Sequence, residues 1–231
     1  MEILKPGKLA PPADLRRDEF DADNERILTT GERVDIVFIG DSITEGWNVK
    51  NAFASVGSTV NRGISGDVIH IIEKRYAADV LQLHPSVAVI HGGVNNTFPL
   101  FEATPETMSA VAEEAVSTFT AAYRRLFEAS RKAGQMVIAC AITPLAEQPS
   151  PGAEARKETV VRMNGILREL CEEYGYPFAD YHTALAEFDG KTAQPCLTYD
   201  GLHPNDRGYA RMDRVIRPIL QAWFAGRAAR G

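Results

Sequence analysis

Short apolar runs alternate along the chain with longer segments in which apolar residues recur every three or four positions. The short runs are rich in valine and isoleucine and are nearly continuous, without a polar residue at every second position. Such runs are typical of parallel strands that are buried on both faces of a sheet. Five strands are therefore predicted, of which the second is the weakest, at residues 34–39, 58–61, 87–91, 136–142 and 177–181.

The segments between these runs have helical periodicity. Apolar spacing predicts helices over residues 104–131 and through residues 163–174, the latter ended by Gly175. A last helix is predicted over residues 204–224, with Pro204 in its first turn. Three residues mark the apolar side of that last helix: Val215, Ile219 and Trp223.

Five strands alternating with helices predict an α/β fold, a flavodoxin-like three-layer sandwich with a central parallel five-stranded sheet. A chain of 231 residues is within the range of one such domain, so a single domain is predicted over residues 1–231. The first 30 or so residues are interpreted as an N-terminal extension packed on that domain. Residues 143–152 are predicted to form a proline-rich loop.

Charge and cysteine content restrict the classes of binding partner and the cellular compartment that we expect. The chain has 25 basic and 31 acidic residues, a net charge of −6, and no dense stripe of lysine and arginine, which argues against nucleic acid and anionic membranes as partners. The three cysteines are scattered, as in proteins of a reducing compartment. The N-terminus lacks the apolar core of a secretory signal, and no apolar run is long enough to span a membrane, so a cytoplasmic protein is expected.

Candidate chemistry follows the strand ends. In open parallel sheets, ligands bind beyond the carboxyl ends of the strands. Four polar or glycine-rich segments are expected to meet there: Gly40-Asp41-Ser42, the stretch Asn61 to Gly66, Gly93-Val94-Asn95, and Asp200 to His203. Each alone has a structural explanation, as a helix cap, a turn or a loop. Their combination is much less readily explained by chance.

A serine hydrolase needs a nucleophile, a base to accept its proton, a group that orients the base, and donors for the oxyanion. Ser42, at a strand-to-helix junction, is the candidate nucleophile. His203 and Asp200 are three residues apart and can face one side as base and orienting acid. The Gly63 backbone N–H and the Asn95 side-chain amide are candidate donors.

These four segments resemble the blocks of the SGNH hydrolases, also called GDSL-type esterases and lipases, in the family's order. Within that family, the chain is most similar to members like platelet-activating-factor acetylhydrolase and to the carbohydrate acetylesterases. The resemblance implies Ser42, Asp200 and His203 as catalytic residues, with an oxyanion hole of the Ser42 and Gly63 amides and the Asn95 side chain. It also implies a flavodoxin-like sheet. The chain departs from the family pattern at Asn96, where an aspartate is common.

Other motifs carry weaker indications. Three residues near strand ends are candidates to line the pocket, Asp41, Trp47 and His91, and Glu45 is a weaker one. Gly190-Lys191-Thr192 is interpreted as a turn, because it lacks the first glycine of a phosphate-binding loop. Asp200 and His203 have no clear companions for a metal site, so neither a metal nor a cofactor is expected.

The sequence thus predicts a serine esterase for a small ester with a short acyl or O-acetyl group, for example an acetylated carbohydrate. One rival keeps the same catalytic residues and acts as a thioesterase or lysophospholipase on longer chains. The other is a non-catalytic ligand-binding protein of the same fold. The pattern carries no information on oligomeric state.

Overall fold

The structure, a computed structural model, describes residues 3–9, 11, 13–146 and 149–229. Its strands are β1 (Ile36–Gly40), β2 (Thr59–Gly63), β3 (Val87–His91), β4 (Val137–Cys140) and β5 (Phe178–Ala179). Each overlaps one of the five predicted runs. They form one sheet in the order β2-β1-β3-β4-β5, and every pairing is parallel. This is the flavodoxin-like order, so the predicted fold is confirmed.

The helices are α1 (Arg17–Thr30), α2 (Ser42–Glu45), α3 (Val49–Ala52), α4 (Ile69–Asp79), α5 (Met108–Lys132), α6 (Pro151–Tyr174), α7 (Tyr181–Leu185) and α8 (Asp206–Ala228). Short 3-10 turns lie at residues 13–16, 81–83, 94–101 and 195–197. None of the described helices combines the length and the apolar composition needed to cross a lipid bilayer.

Three helix starts differ from the predictions. α5 begins at Met108, because residues 104–107 form a turn closed by their own threonine side chains. α6 begins at Pro151, within the predicted loop 143–152, because the Ser150 hydroxyl caps it and proline is tolerated in a first turn. Glu147 and Gln148 of that predicted loop lie outside the described residues.

The start of α8 also corrects the prediction for Pro204. The Asn205 side chain accepts hydrogen bonds from Arg207 N and Gly208 N, so Asn205 is the N-cap and Pro204 lies before the helix. The face of α8 that is fully buried is one position away from the predicted stripe: it carries Met212, Ile216 and Leu220. The predicted residues flank this face and are partly buried: Val215, Ile219 and Trp223.

The sheet separates two apolar cores, because successive side chains of a strand point to opposite faces. On one face, Val37 and Ile39 of β1 pack with α4, α5 and α6. On the other, Ile36 and Phe38 pack with α8. Gly40, at the end of β1, lies opposite Gly63 of β2 and His91 of β3. The three strands therefore end at one edge, and the loops that follow them converge there.

The N-terminal segment, residues 3–30 as far as they are described, packs against this sheet and its helices. Phe20 and Ile27 of α1 are buried, and Phe20 joins Ile64 and Ile71 in a small apolar cluster. Arg17 of α1 also forms an ion pair with the buried Asp79 of α4, at 2.6 Å. These contacts join the described part of this segment to α4, and the division of the chain into a single domain over residues 1–231 with a packed N-terminal extension stays a prediction.

Candidate active site

The candidate nucleophile stands where β1 turns into α2. Gly40 ends β1 in a place without room for a side chain, since a Cβ there would lie 2.1 Å from the His91 carbonyl oxygen. Asp41 then caps α2 by accepting a hydrogen bond from Ile43 N at 3.0 Å. Ser42 is consequently the first residue of α2 and is half-buried at the carboxyl edge of the sheet.

The candidate base is held by a local turn, residues 200–203, which we call the base turn. Asp200 Oδ1 accepts hydrogen bonds from Leu202 N at 3.0 Å and from His203 N at 2.8 Å. Its other oxygen, Oδ2, lies 2.7 Å from His203 Nδ1. His203 Nε2 in turn lies 3.0 Å from Ser42 Oγ. The structure thus brings these three predicted residues together in the order serine, histidine, aspartate.

The ionisation of Asp200 determines which nitrogen of His203 carries a proton. Partial burial acts to raise the pKa of Asp200, but the hydrogen bonds from the His203 ring and from the His203 and Leu202 amides outweigh it and lower the pKa to about 2. Asp200 is therefore a carboxylate at neutral pH and accepts a proton from Nδ1. In the neutral imidazole, Nε2 then carries the lone pair that faces Ser42 Oγ.

Asn95 lies beyond the carboxyl end of β3 and is buried. Its Nδ2 donates to the Asp67 carbonyl oxygen at 2.8 Å, and its second amide hydrogen has no acceptor within the described part of the chain. The neighbouring Asn96, which departs from the family pattern, uses its Oδ1 to accept from Ile69 N at 3.0 Å. Asn96 therefore anchors the start of α4.

The glycine amide predicted for the oxyanion hole is already engaged. Gly63 N donates to Asn61 Oδ1 at 2.8 Å. Gly63 is needed for a different reason: a Cβ there would lie 2.1 Å from Glu45 N, so only glycine lets β2 approach α2 so closely. The sequence expectation of an unobstructed Gly63 N–H is corrected accordingly.

The second glycine of the same stretch provides a free amide, which the sequence reasoning missed. Gly66 is exposed and has a φ of 83°, a conformation that favours glycine. Its N–H has no hydrogen-bond partner among the residues that the structure describes. The following residue, Asp67, is the one whose carbonyl binds Asn95. The available signal in the sequence was the position of Gly66 in the loop after β2, beyond the strand end.

A buried arginine, Arg75, connects the segments that carry Ser42 and Gly66. Arg75 of α4 is fully buried and donates to Asp67 Oδ2 at 2.8 Å and to Asp79 Oδ2 at 3.0 Å. It also donates to the carbonyl oxygens of Gly40 and Arg62, each at 2.9 Å. One guanidinium therefore ties the loop before Ser42 to the end of β2 and to the loop that contains Gly66.

A cleft of about 550 Å³ opens beside Ser42 and His203. The other residues that line it are Gly46, Trp47, Asn48, Asn51, Ala52, Tyr199, Pro204, Asp206 and Tyr209. Trp47 thus borders this cleft, and its ring stacks on Tyr209 with centroids 5.5 Å apart. Tyr199 stands at the rim with 72% of its surface exposed.

The two other residues predicted to line the pocket, Asp41 and His91, are not among the described residues that border this cleft; both are buried. Burial and the nearby carboxylate of Asp67 raise the pKa of Asp41 to about 7. Burial lowers the pKa of His91 to about 4, so His91 is neutral at physiological pH. Because both are buried and neither borders the cleft, we interpret them as residues that support the loops of the site and do not contact a substrate.

The weaker candidates have other roles. Glu45 points away from the cleft, toward Arg16 and Ser65. In the Gly190-Lys191-Thr192 segment, Asp189 Oδ1 accepts from Lys191 N and Thr192 N at 3.0 and 2.8 Å. This segment is therefore the turn that was predicted.

A flavodoxin-like sheet with a hydroxyl, an imidazole and a carboxylate in contact at its carboxyl edge has the arrangement of a hydrolytic enzyme. A family model, that of GDSL-like lipases and acylhydrolases, matches residues 38–211, more than half of the chain. The chain belongs to the GDSL-like lipase/acylhydrolase family, as its motifs predict. Family and relatives together indicate a carboxylic ester hydrolase.

Two curated relatives are acetylxylan esterases. The one from Geobacillus stearothermophilus is 22% identical over an alignment 227 positions long, and the match covers 87% of this chain and 99% of that protein. The one from Xylanibacter ruminicola is 24% identical over an alignment 185 positions long, and the match covers 77% of this chain. The chain spans only 36% of the length of that second protein.

Solved structures share the fold. A GDSL-like lipase from Bacteroides thetaiotaomicron superposes with a TM-score of 0.68 at 23% identity, covering 87% of this chain and 98% of that one. The acetylxylan esterase Axe2 from Geobacillus stearothermophilus superposes with a TM-score of 0.63 at 21% identity, covering 81% and 94%. At these identities, the likeness establishes the three-layer architecture.

Proposed function

We propose that this chain hydrolyses carboxylic esters of short acyl groups, in particular O-acetyl esters, through an acyl-enzyme on Ser42. The observation that carries the proposal is the continuous set of contacts from Ser42 Oγ to His203 Nε2 at 3.0 Å and from His203 Nδ1 to Asp200 Oδ2 at 2.7 Å. A serine hydroxyl is a weak nucleophile until a neighbouring base accepts its proton. His203 is within hydrogen-bond reach to do so, and Asp200 holds its ring in the required tautomer.

In the proposed reaction, Ser42 Oγ attacks the acyl carbon while its proton passes to His203 Nε2. The resulting imidazolium is stabilised by the Asp200 carboxylate, which stays ionised because its pKa is about 2. His203 then gives the proton to the leaving alcohol oxygen as the carbon–oxygen bond breaks. A water molecule, activated by the same nitrogen, later hydrolyses the acyl-enzyme and restores Ser42.

We assign the oxyanion donors to the Ser42 amide, the Asn95 side chain and the Gly66 amide. Ser42 is the first residue of α2, so its N–H has no acceptor within the helix. Among the described residues, one amide hydrogen of Asn95 and the Gly66 N–H have no acceptor, and Gly66 lies in the loop that Asn95 contacts through Asp67. Gly66 replaces Gly63 in this set, because the Gly63 amide is engaged by Asn61.

The proposed substrate is an acetyl ester of a carbohydrate. Two relatives are named acetylxylan esterases. The cleft beside Ser42 combines the exposed aromatic ring of Tyr199 with the side-chain amides of Asn48 and Asn51. Aromatic faces pack against the apolar faces of sugar rings, and amides bind hydroxyl groups. We also propose a cytoplasmic location, in keeping with three free cysteines.

The first test locates the acyl-enzyme. A fluorophosphonate probe should label Ser42, and Ser42→Ala should abolish both labelling and ester hydrolysis without lowering the melting temperature. Peptide mass spectrometry identifies the labelled residue, and a label on Ser65 would contradict the assignment.

The second test concerns the acyl group. The unlabelled wild-type protein is assayed with p-nitrophenyl esters of two to eight carbons and with acetylated xylo-oligosaccharides. We expect kcat/KM to be highest for acetyl groups, whereas a steady rise with chain length would favour a thioesterase or lysophospholipase.

A further inference from the structure

One carboxylate joins the nucleophile helix to two distant segments of the chain. Glu45, the last residue of α2, accepts from Arg16 Nη1 with Oε1 at 2.5 Å. Its other oxygen, Oε2, accepts from Ser65 N at 2.6 Å and from Ser65 Oγ at 2.5 Å. Arg16 comes from the N-terminal segment, and it also donates to the Gly63 carbonyl oxygen at 3.2 Å.

The position of Glu45 is coupled to that of Ser42. The two residues are three positions apart on the same helical turn, and Gly63 packs directly against the Glu45 backbone. The backbone of Glu45 is therefore held against β2, and its carboxylate reaches Arg16 and Ser65 from that fixed point. Its ion pair with Arg16 is only partly exposed, with 28% of the Arg16 and 32% of the Glu45 side chain accessible.

The contact between Glu45 and Ser65 also restrains the residue that follows Ser65, Gly66, whose amide has no acceptor among the described residues. Ser65 precedes Gly66, and Asp67 follows it. Glu45 holds Ser65 through its N–H and hydroxyl, and Asn95 holds Asp67 through its carbonyl. Gly66 is thus fixed on both sides, although glycine itself is the most mobile of residues.

We propose that Glu45, anchored by Arg16, is a positioning residue that holds the Ser65–Gly66 peptide at a set distance from Ser42. The N-terminal segment is then part of the active-site architecture through Arg16. This inference rests on the proposed ester hydrolysis. Glu45 touches no reacting atom, so it acts through the Gly66 amide, which must be aligned with the developing oxyanion to stabilise it.

The test compares Glu45→Ala, Glu45→Gln and Arg16→Met with a matched control, Glu19→Gln. Glu19 is the other partner of Arg16, at 2.9 Å, but it is exposed and makes no contact with Ser65. We expect Glu45→Ala to lower kcat for p-nitrophenyl acetate by about 10- to 100-fold, because a misaligned donor loses its effect on the transition state. KM should change by less than about three-fold, since ester binding does not depend on the donor to the same extent.

Glu45→Gln and Arg16→Met should give smaller losses of kcat, roughly three- to ten-fold, because each leaves an acceptor for Ser65 but removes the ion pair. Glu19→Gln should remain within about two-fold of the wild type. Melting temperatures are measured for all variants. A merely structural role would lower the melting temperature of Glu45→Ala while kcat of the folded protein matched that of Glu19→Gln, and this result would overturn the inference.

If Glu45→Ala does not fold, Glu45→Gln and Arg16→Met decide by the same comparison with Glu19→Gln. The Ser42→Ala variant separates this inference from the proposed function. If Ser42→Ala is inactive and the Glu45 and Arg16 variants keep wild-type kcat, only the inference fails. If the wild type hydrolyses no ester, or Ser42→Ala keeps its activity, the proposed function fails and the inference fails with it.

Discussion

The proposed catalytic machinery has two sides, a base side and an oxyanion side, which are built in opposite ways. On one side, the base turn is local and exposed: 39% of the His203 side chain and 52% of the Asp200 side chain are accessible, and their contacts span three residues. The oxyanion side consists of the residues proposed to surround the oxyanion donors, residues 63–67 and Asn95, whose contacts join segments that are distant in sequence. Buried groups such as Arg75 support it.

This difference has an energetic consequence. Exposed hydrogen-bonded pairs contribute little to stability, because water competes for both partners. Buried charged groups that lose a partner are costly, because no water replaces it. Substitutions in the base turn should therefore change the chemistry alone, whereas substitutions in the oxyanion side should change stability, chemistry or both.

The largest expected effect separates chemistry from stability in the base turn. Asp200→Asn should lower kcat by about 10⁴-fold, because an amide no longer fixes the tautomer of His203 or stabilises its protonated form. The asparagine oxygen can still accept from the Leu202 and His203 amides, so the turn should persist. Thermal unfolding should therefore match the wild type, and steady-state assays give kcat. If Asp200→Asn keeps the wild-type kcat, Asp200 only stabilises the turn, and the contrast between the two sides is wrong.

The next effect concerns stability in the oxyanion side. Arg75→Met should reduce the free energy of unfolding by about 3–5 kcal/mol, because it leaves the carboxylates of Asp67 and Asp79 buried without this partner. Urea unfolding measures the change. Arg125→Met is the matched control, since Arg125 pairs with Glu73 on the surface, and it should cost less than about 1 kcal/mol. Equal losses in the two variants would mean that burial of the pair makes no difference.

The same contrast explains which parts of the site could be predicted from the sequence. In the base turn, Asp200 and His203 were identified together because three-residue spacing in a tight turn brings both side chains to one face. In the oxyanion side, the stretch after Asn61 contains two glycines, and local pattern alone does not show which amide is free. That choice depends on Asn61 bonding to Gly63 and on the contact between β2 and α2.

The fold shows a similar division. The strands could be predicted, because buried parallel strands have continuous apolar runs. Their order followed from the flavodoxin-like fold that the α/β pattern suggests and the family resemblance implies. The starts of α6 and α8 could not be predicted, because each depends on a capping side chain, Ser150 or Asn205, next to a proline. The proline at 151 lies inside its helix, whereas Pro204 lies outside. Proline is compatible with both positions, so its presence alone does not locate a helix start.

The smallest of the three effects tests whether one residue of the oxyanion side serves both chemistry and structure. Asn95→Ala should lower kcat by about 10²–10³-fold, or roughly 3–4 kcal/mol, while KM changes little. The reason is that an ester carbonyl is a modest acceptor, whereas the tetrahedral intermediate carries nearly a full negative charge, so a fixed amide acts mainly on the latter. Asn95→Asp should be at least as damaging, because a carboxylate repels the oxyanion.

Asn95 also donates to the Asp67 carbonyl oxygen, so its removal leaves a buried acceptor and should cost about 1–3 kcal/mol of stability as well. Asn96→Ala is the matched control: Asn96 caps Ile69 N from the adjacent position. The Asn96→Ala variant should lose a similar amount of stability, and the kcat of the folded variant should stay within a few-fold of the wild type. Steady-state kinetics and urea unfolding on the same preparations separate the two quantities. If Asn95→Ala and Asn96→Ala lose the same small fraction of kcat, Asn95 only holds the loop, and the oxyanion must be stabilised by backbone amides alone.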